Sequence, residues 1–154
     1  MTAQTGNGQH RIVVGVDGSV PSKAALAWAI TQARLTGAAV EAVIAWEFPT
    51  MVGYPMLVSD VDWEDQADQV IRNAVDDVTG DGAESVKITN RVIQGNAAQV
   101  LLDESAGADL LVVGSRGHGG FVEALLGSTG QHCVQHATCP VVVIRDSITG
   151  SDQK

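Results

Sequence analysis

Apolar positions along this chain follow two alternating rhythms: short β-branched runs, and longer stretches with apolar residues three and four apart. Residues 11–16, RIVVGV, form the first short run and predict a strand. The turn DGS ends it, Ser19 suits an N-cap, and Pro21 suits a first helical turn. Leu26, Ala29, Ile30 and Ala33 then recur at i, i+3, i+4 and i+7, the spacing of an amphipathic helix that Gly37 stops. Residues 39–46, AVEAVIAW, read as a second strand, and residues 47–60, with two prolines and no period, as a connection or lid. From Trp63 the helical spacing returns through Ala67, Val70, Ile71, Ala74, Val75 and Val78, and Gly80 and Gly82 close it. Residues 85–93 alternate like a strand with one wetter face, and Asn96 can cap a third helix carrying Val100, Leu101 and Leu102. DLLVVGS, 109–115, is nearly all apolar, the mark of a strand buried on both faces. A last helix is expected near 129–137 and a final strand over 139–145.

Strands alternating with helices imply an α/β fold: an open parallel five-stranded sheet with helices on both faces. One domain over 10–146 is expected, with a disordered N-terminus at 1–9 and a frayed tail at 147–154. Such sheets hold ligands beyond the carboxyl ends of their strands, where the strand order reverses. Two glycine-containing strand ends qualify, GVDGS after the first strand and GSRGHGG after the fourth. With strand order 3-2-1-4-5 they would be neighbours at that point.

Composition narrows the function. The 154 residues carry 45% hydrophobic and 18% charged side chains and a net charge of −9. That balance argues against nucleic acid as a partner, because phosphate neutralisation needs many Lys and Arg. Residues 60–84 hold nine acidic side chains and one Arg, Arg72, which reads as a solvated helix face or a docking face for an unknown protein partner. No stretch is apolar for the roughly 20 residues that a membrane span needs. Two cysteines, Cys133 and Cys139, without metal spacing, and an N-terminus without an apolar leader point to a reduced cytoplasmic setting.

The chemistry gathers in GSRGHGGFVEALLGST, 114–129, with glycines at 114, 117, 119, 120 and 127. Ser128 and Gln131 have the spacing of a capping box, so a helix is expected to start there. Free N–H groups and the positive end of the helix dipole suit phosphate, and nearby glycines let an oxyanion reach the backbone. Arg116 and His118 would add side-chain donors. A glycine-rich strand-to-helix turn without a ligand is the plainer reading. The stretch lacks the Walker lysine, and GHGG at 117–120 lacks the third glycine of the dinucleotide fingerprint.

Gly114, Gly117, Gly127 and Ser128 together make G-x-x-G, nine residues, then G-[ST]. With GVDGS at 15–19, AWEFP at 45–49, ADLLVVGSRGHGG at 108–120 and HATCPVVVIR at 136–145, the chain resembles the universal stress protein family over about residues 10–146. The resemblance implies strand order 3-2-1-4-5, a homodimer and, in many members, bound ATP. By position it would set Gly15 and Asp17 beside the nucleotide, with Asp17 near the ribose and possible Mg²⁺, and Ala45 against adenine. Val113 and Gly114 would face the ribose side. Gly117, Gly119, Gly127, Ser128 and Thr129 would surround the phosphates. Gly130 departs from the family pattern, where an apolar residue often follows G-S, and would weaken the first helical turn.

Other residues carry less. Asp17 suits a turn or cap as well as a ribose or metal contact. Ser115 stands outside the hydrolase motif G-x-S-x-G. His132 and His136 are four apart but lack a third ligand for metal. His10 belongs with the frayed N-terminus, and Cys133 and Cys139 read as small core hydrophobes. Trp28, Trp46 and Trp63 read as packing. The expected function is an ATP-binding regulatory or stress-response module rather than a fast enzyme. The alternatives are a slow Mg²⁺-dependent ATP hydrolase or phosphotransferase using Asp17 and His118, a cyclic AMP site, or a nucleotide-free interaction module. The last strand, with Val141, Val142, Val143 and Ile144, is an uncharged edge suited to pairing with a second copy.

Overall fold

The computed structural model describes residues 10–48, 62–80, 86–115 and 127–145. The first crossover runs from β1 (Arg11–Gly15) through α1 (Val20–Thr36) to β2 (Ala39–Trp46). The second runs through α2 (Trp63–Thr79) to β3 (Ile88–Gln94), and the third through α3 (Ala97–Ser105) to β4 (Leu110–Gly114). Helix α4 (Ser128–His136) then leads to β5 (Val141–Ile144). The strands form one sheet in the order β3-β2-β1-β4-β5, every pair parallel, as expected. The disordered N-terminus at 1–9, the tail at 147–154, most of the connection at 47–60, and Gly82 lie outside the described residues. His10 does not belong with a frayed terminus: its ring nitrogen meets the Asp109 carboxylate at 3.1 Å, and its carbonyl accepts from the Ala39 N–H at 2.9 Å.

Alternation along the central strands builds two cores. Ile12 and Val14 of β1 turn to one face with Val40, Ala42 and Val112, beneath Leu26, Ala29 and Ile30 of α1 and Ile71 of α2. Val13 turns to the other face with Val43, Leu111 and Val113, beneath Val100 and Leu101 of α3 and Cys133 of α4. The three central residues of β1 and of β4 are buried, which is why both read as continuous apolar runs. The edge strand β3 is wetter, and it begins at Ile88, where its pairing with β2 starts opposite Val40; residue 85, the expected start, lies outside the described residues. Trp28 and Trp46 pack against the α1–α2 core, in keeping with the packing role expected of them.

The helices begin and end largely where the chain signals. The Ser19 hydroxyl accepts from the Ser22 N–H at 3.3 Å, and Gly37, at φ 80°, ends α1 with its N–H on the Ala33 carbonyl. The Asp62 carboxylate caps α2 through the Asp65 N–H at 3.0 Å, and the Asn96 side chain caps α3 through the Gln99 N–H at 3.1 Å. The acidic face of α2 is partly spoken for. Glu64 and Asp65 sit in its first turn, where negative charge suits the dipole. Asp68 pairs with Arg72 at 2.7 Å, and Asp77 pairs with Lys23 of α1 at 2.8 Å.

Candidate functional site

A cavity of about 520 Å³ opens at the carboxyl ends of β1 and β4, where the strand order reverses. Gly15, Asp17, Ala45, Val113, Gly114, Gly127, Ser128 and Thr129 all line it. Four further sequence candidates, Arg116, Gly117, His118 and Gly119, lie outside the described residues. The cavity also takes in residues that the motifs did not single out. Val20, Pro21 and Ser22 come from the first turn of α1, Val43 from β2, and Ala97 and Leu101 from α3. Ser115 and Gly130 complete the two glycine-rich ends. Val43 stands two residues before Ala45, on the same face of β2, and so belongs to the same strand end. The entry of α3 depends on packing that no local motif records.

Two close approaches shape the floor. A Cβ on Gly114 would lie 2.5 Å from the backbone carbon and oxygen of Pro21, so the end of β4 touches the backbone of α1 directly. A Cβ on Gly15 would meet Leu101 Cδ1 at 2.8 Å, so α3 sits on the end of β1.

The turn between β1 and α1 is built around Asp17. Its Oδ1 accepts from the Ser19 N–H at 2.9 Å and from the Ser19 hydroxyl at 2.5 Å. The Asp17 N–H donates to the Ser22 hydroxyl oxygen at 3.2 Å. Asp17 therefore holds the turn that brings α1 to the cavity, the local role its position suggested.

Helix α4 starts differently from the expected capping box. Gly127 is the N-cap, at φ −70° and ψ 174°, and its carbonyl accepts from the Gln131 N–H at 3.0 Å. Ser128 is thus already the first helical residue, and it cannot serve as the half-out residue whose side chain caps the helix. Gly127 has no side chain with which to cap this N-terminus, whereas Ser19, Asp62 and Asn96 cap the other three described helices with their own side chains. Ser128 and Thr129 of that first turn line the cavity. Amide donors, two hydroxyls and a helix dipole there can hold an anion without a cationic side chain. Gly130 is buried in that turn.

The universal stress protein family model matches residues 9–145. The chain belongs to this family. Universal stress protein Rv2623 of Mycobacterium tuberculosis is 35% identical over 144 residues, which cover 92% of this chain and 47% of that protein. A Mycolicibacterium smegmatis universal stress protein is 33% identical over 141 residues, covering 87% of this chain and 45% of its own length. The chain thus spans about half the length of the curated relatives it matches. Among solved structures, the universal stress protein UspA of Lactobacillus plantarum is 24% identical, with 88% of this chain and 97% of that one covered and a TM-score of 0.66. A universal stress protein in complex with cAMP is 25% identical, with 89% and 97% covered and a TM-score of 0.65.

The remaining sequence candidates take structural places. Cys133 is fully buried, and burial, helped by the nearby Cys139, pushes its thiol up to about 11. Burial also raises Cys139. Both stay protonated near neutral pH, so they pack rather than attack. The His132 and His136 rings lie 4.5 Å apart, centre to centre, and among the described residues no cluster of His, Cys, Asp and Glu could hold a metal ion. No described helix is long and apolar enough to cross a membrane.

A charged cluster lies on the α3 side of the sheet. Glu41 of β2 receives Arg11 of β1 at 2.9 Å and Arg91 of β3 at 3.5 Å, and Arg91 also reaches Glu104 of α3 at 3.2 Å. Burial first, and the hydrogen-bonded Glu41 carboxyl second, push the Glu104 carboxyl above its ordinary value of 4.5, against the pull of Arg91 and Arg11. An acid held above its ordinary value binds its proton more tightly in the folded chain than in the unfolded one. Its contribution to stability therefore grows as pH falls through the raised value and is complete below 4.5. Glu104→Gln, neutral at every pH, should flatten that part of the curve. Urea unfolding in steps from neutral pH down to 4.5 reads the effect, and a variant curve with the wild-type slope would assign the protons elsewhere.

Proposed function

We propose that the cavity binds an adenine nucleotide, with ATP the intended ligand, and that the chain acts as a regulatory stress-response module rather than a fast enzyme. The observation that carries this reading is the first turn of α4, which starts at a glycine N-cap and lines the cavity with Gly127, Ser128, Thr129 and Gly130. In this reading the Gly127–Thr129 backbone and hydroxyls hold the phosphates, joined by Arg116, Gly117, His118 and Gly119. The apolar wall of Val43, Ala45, Leu101 and Val113 takes the base, with Ala45 offering backbone atoms to adenine. Gly15, Asp17 and Gly114 flank the ribose, and Asp17 would stand beside a nucleotide-bound Mg²⁺. The cAMP held by a relative of the same fold, at 25% identity, supports the adenine and makes cyclic AMP the chief competitor. Mass spectrometry of ligand released from purified protein, followed by calorimetry with ATP, AMP and cyclic AMP, tests the reading. Micromolar ATP binding with negligible phosphate release over hours is expected. Tighter binding of cyclic AMP would reassign the ligand, and steady phosphate release would make the chain a slow hydrolase. The two free thiols fit the proposed reduced, cytoplasmic setting.

The chain's own partner in this proposal is a second copy, paired through β5. That strand ends the sheet, and its outer side has no strand partner among the described residues. Pro140 and Ile144 turn their carbonyls to β4, accepting from Leu111 and Ser115 at 2.9 and 2.8 Å. Strand alternation then turns the N–H groups of Val141 and Val143 outward. Val143→Pro removes an outward donor and spares the ladder to β4, so it should shift a dimer toward monomer, as should Val142→Lys by charge. Sedimentation at micromolar concentration is the check. A monomeric wild type, or a dimer indifferent to Val143→Pro in a folded variant, would move the interface elsewhere.

A further inference from the structure

Helix α3 reaches from the cavity to the charged cluster. It has only nine residues, too few to hold a helix without tertiary support. Ala97 and Leu101 of its first turns line the cavity, and Leu101 covers Gly15, the last residue of β1. Its last turn is held by Arg11, the first residue of the same strand. One guanidinium nitrogen of Arg11 donates to the Glu104 carbonyl at 2.8 Å and to the Glu41 carboxylate at 2.9 Å, and the other donates to the Ala106 carbonyl at 3.1 Å. A cation on the terminal carbonyls satisfies acceptors that the helix leaves open and complements its dipole. Glu41, whose side chain is 13% exposed, fixes the guanidinium in turn, and Arg91 ties the Glu104 carboxylate to the same residue.

We propose that Arg11 is a positioning residue for the cavity: by clamping the last turn of α3 it sets how closely Leu101 sits over Gly15, and so the shape of the wall against which a ligand rests. Arg11 itself does not line the cavity. It acts along about 10 Å of helix, the rise from Ala97 to Glu104. Lysine is a poor substitute, because one ammonium cannot reproduce the planar fork that serves Glu41 and two carbonyls at once.

The effect on ligand affinity rests on the nucleotide reading above, whereas the anchoring of α3 does not. The test therefore begins without ligand, on Arg11→Met, which keeps most of the stem, and Arg11→Lys, which keeps the charge should the first variant fold poorly. Hydrogen exchange is followed at the amides of Leu101–Ser105 in α3 and of Ala29–Ala33 in α1. In Arg11→Met the α3 amides should exchange about tenfold faster while those of α1 hold their wild-type rates, with Arg11→Lys between. Unchanged α3 exchange, or equal acceleration in both helices, overturns the proposal. Calorimetry with ATP then reads the wall. Affinity should fall about tenfold in Arg11→Met, and Leu101→Ala should cost less in that background than in the wild type. Faster α3 exchange with unchanged affinity and additive substitutions would leave Arg11 a helix anchor only and reject its role at the cavity. If the wild type binds no adenine nucleotide, the nucleotide reading fails on its own account. Exchange at Gly15 then decides the wall: acceleration alongside α3 upholds the proposal and a wild-type rate rejects it.

Discussion

Gly127→Val is expected to weaken ATP binding by more than about a hundredfold while leaving the fold intact. Gly127 sits at φ −70° and ψ 174°, an extended conformation that valine adopts readily. The substitution therefore asks little of the backbone. It does place a branched side chain at the mouth of the α4 N-terminus, where the proposed phosphate must approach the amides of Ser128 and Thr129. Each hydrogen bond to a charged group is worth about 1.5 to 3 kcal/mol, so losing two exceeds the roughly 2.7 kcal/mol that corresponds to a hundredfold. Ser128→Ala removes one hydroxyl and should be milder. Calorimetry on variants with wild-type circular dichroism is the measurement, and an unaltered affinity in folded Gly127→Val would remove the cradle from α4.

Gly114→Ala is expected to cost about 3 kcal/mol of stability, the upper part of the range for overpacked sites. The added methyl would lie 2.5 Å from the backbone carbon and oxygen of Pro21, and a backbone cannot rotate out of the way as a side chain can. β4 and α1 must part, and they meet at the floor of the cavity. For a domain of this size the loss corresponds to a fall in Tm of about 6 to 12 °C. Gly15→Ala is the informative comparison. Its methyl would meet only the tip of Leu101, at 2.8 Å, which can turn aside. Thermal unfolding of the two variants should rank Gly114→Ala well below Gly15→Ala. Equal losses would mean that the contact with Pro21 is not what requires glycine at 114.

The apolar runs of β1 and β4 were legible because a strand buried on both faces has no polar side to disguise it. The amphipathic spacing of α1 and α2 was legible for the opposite reason. Strand order was not contained in periodicity, since hydrophobic spacing says which residues are buried and not which strands are neighbours. It came with the resemblance carried by Gly114, Gly117, Gly127 and Ser128. The start of α4 was misplaced by one residue because Ser128 and Gln131 satisfy the capping-box spacing while the backbone gives the N-cap to Gly127. Ala97 and Leu101 escaped notice because their place in the cavity depends on α3 lying over Gly15, a contact between residues far apart in the chain. The charged cluster escaped for the same reason, although one signal was visible: Glu41 is the lone charge in AVEAVIAW, and a charge in a buried run requires partners.

In the proposed complex the N-terminus of α4 holds the phosphates of an adenine nucleotide. Amide-resolved NMR during titration of the folded protein with ATP tests it most directly. The Ser128, Thr129 and Gly130 amide resonances should move first and furthest, together with those of Gly15 and Val113, and Gly127→Val should abolish the movement. ATP saturation that leaves the Ser128–Gly130 amides in place, or no binding at all by the intact chain, would contradict it.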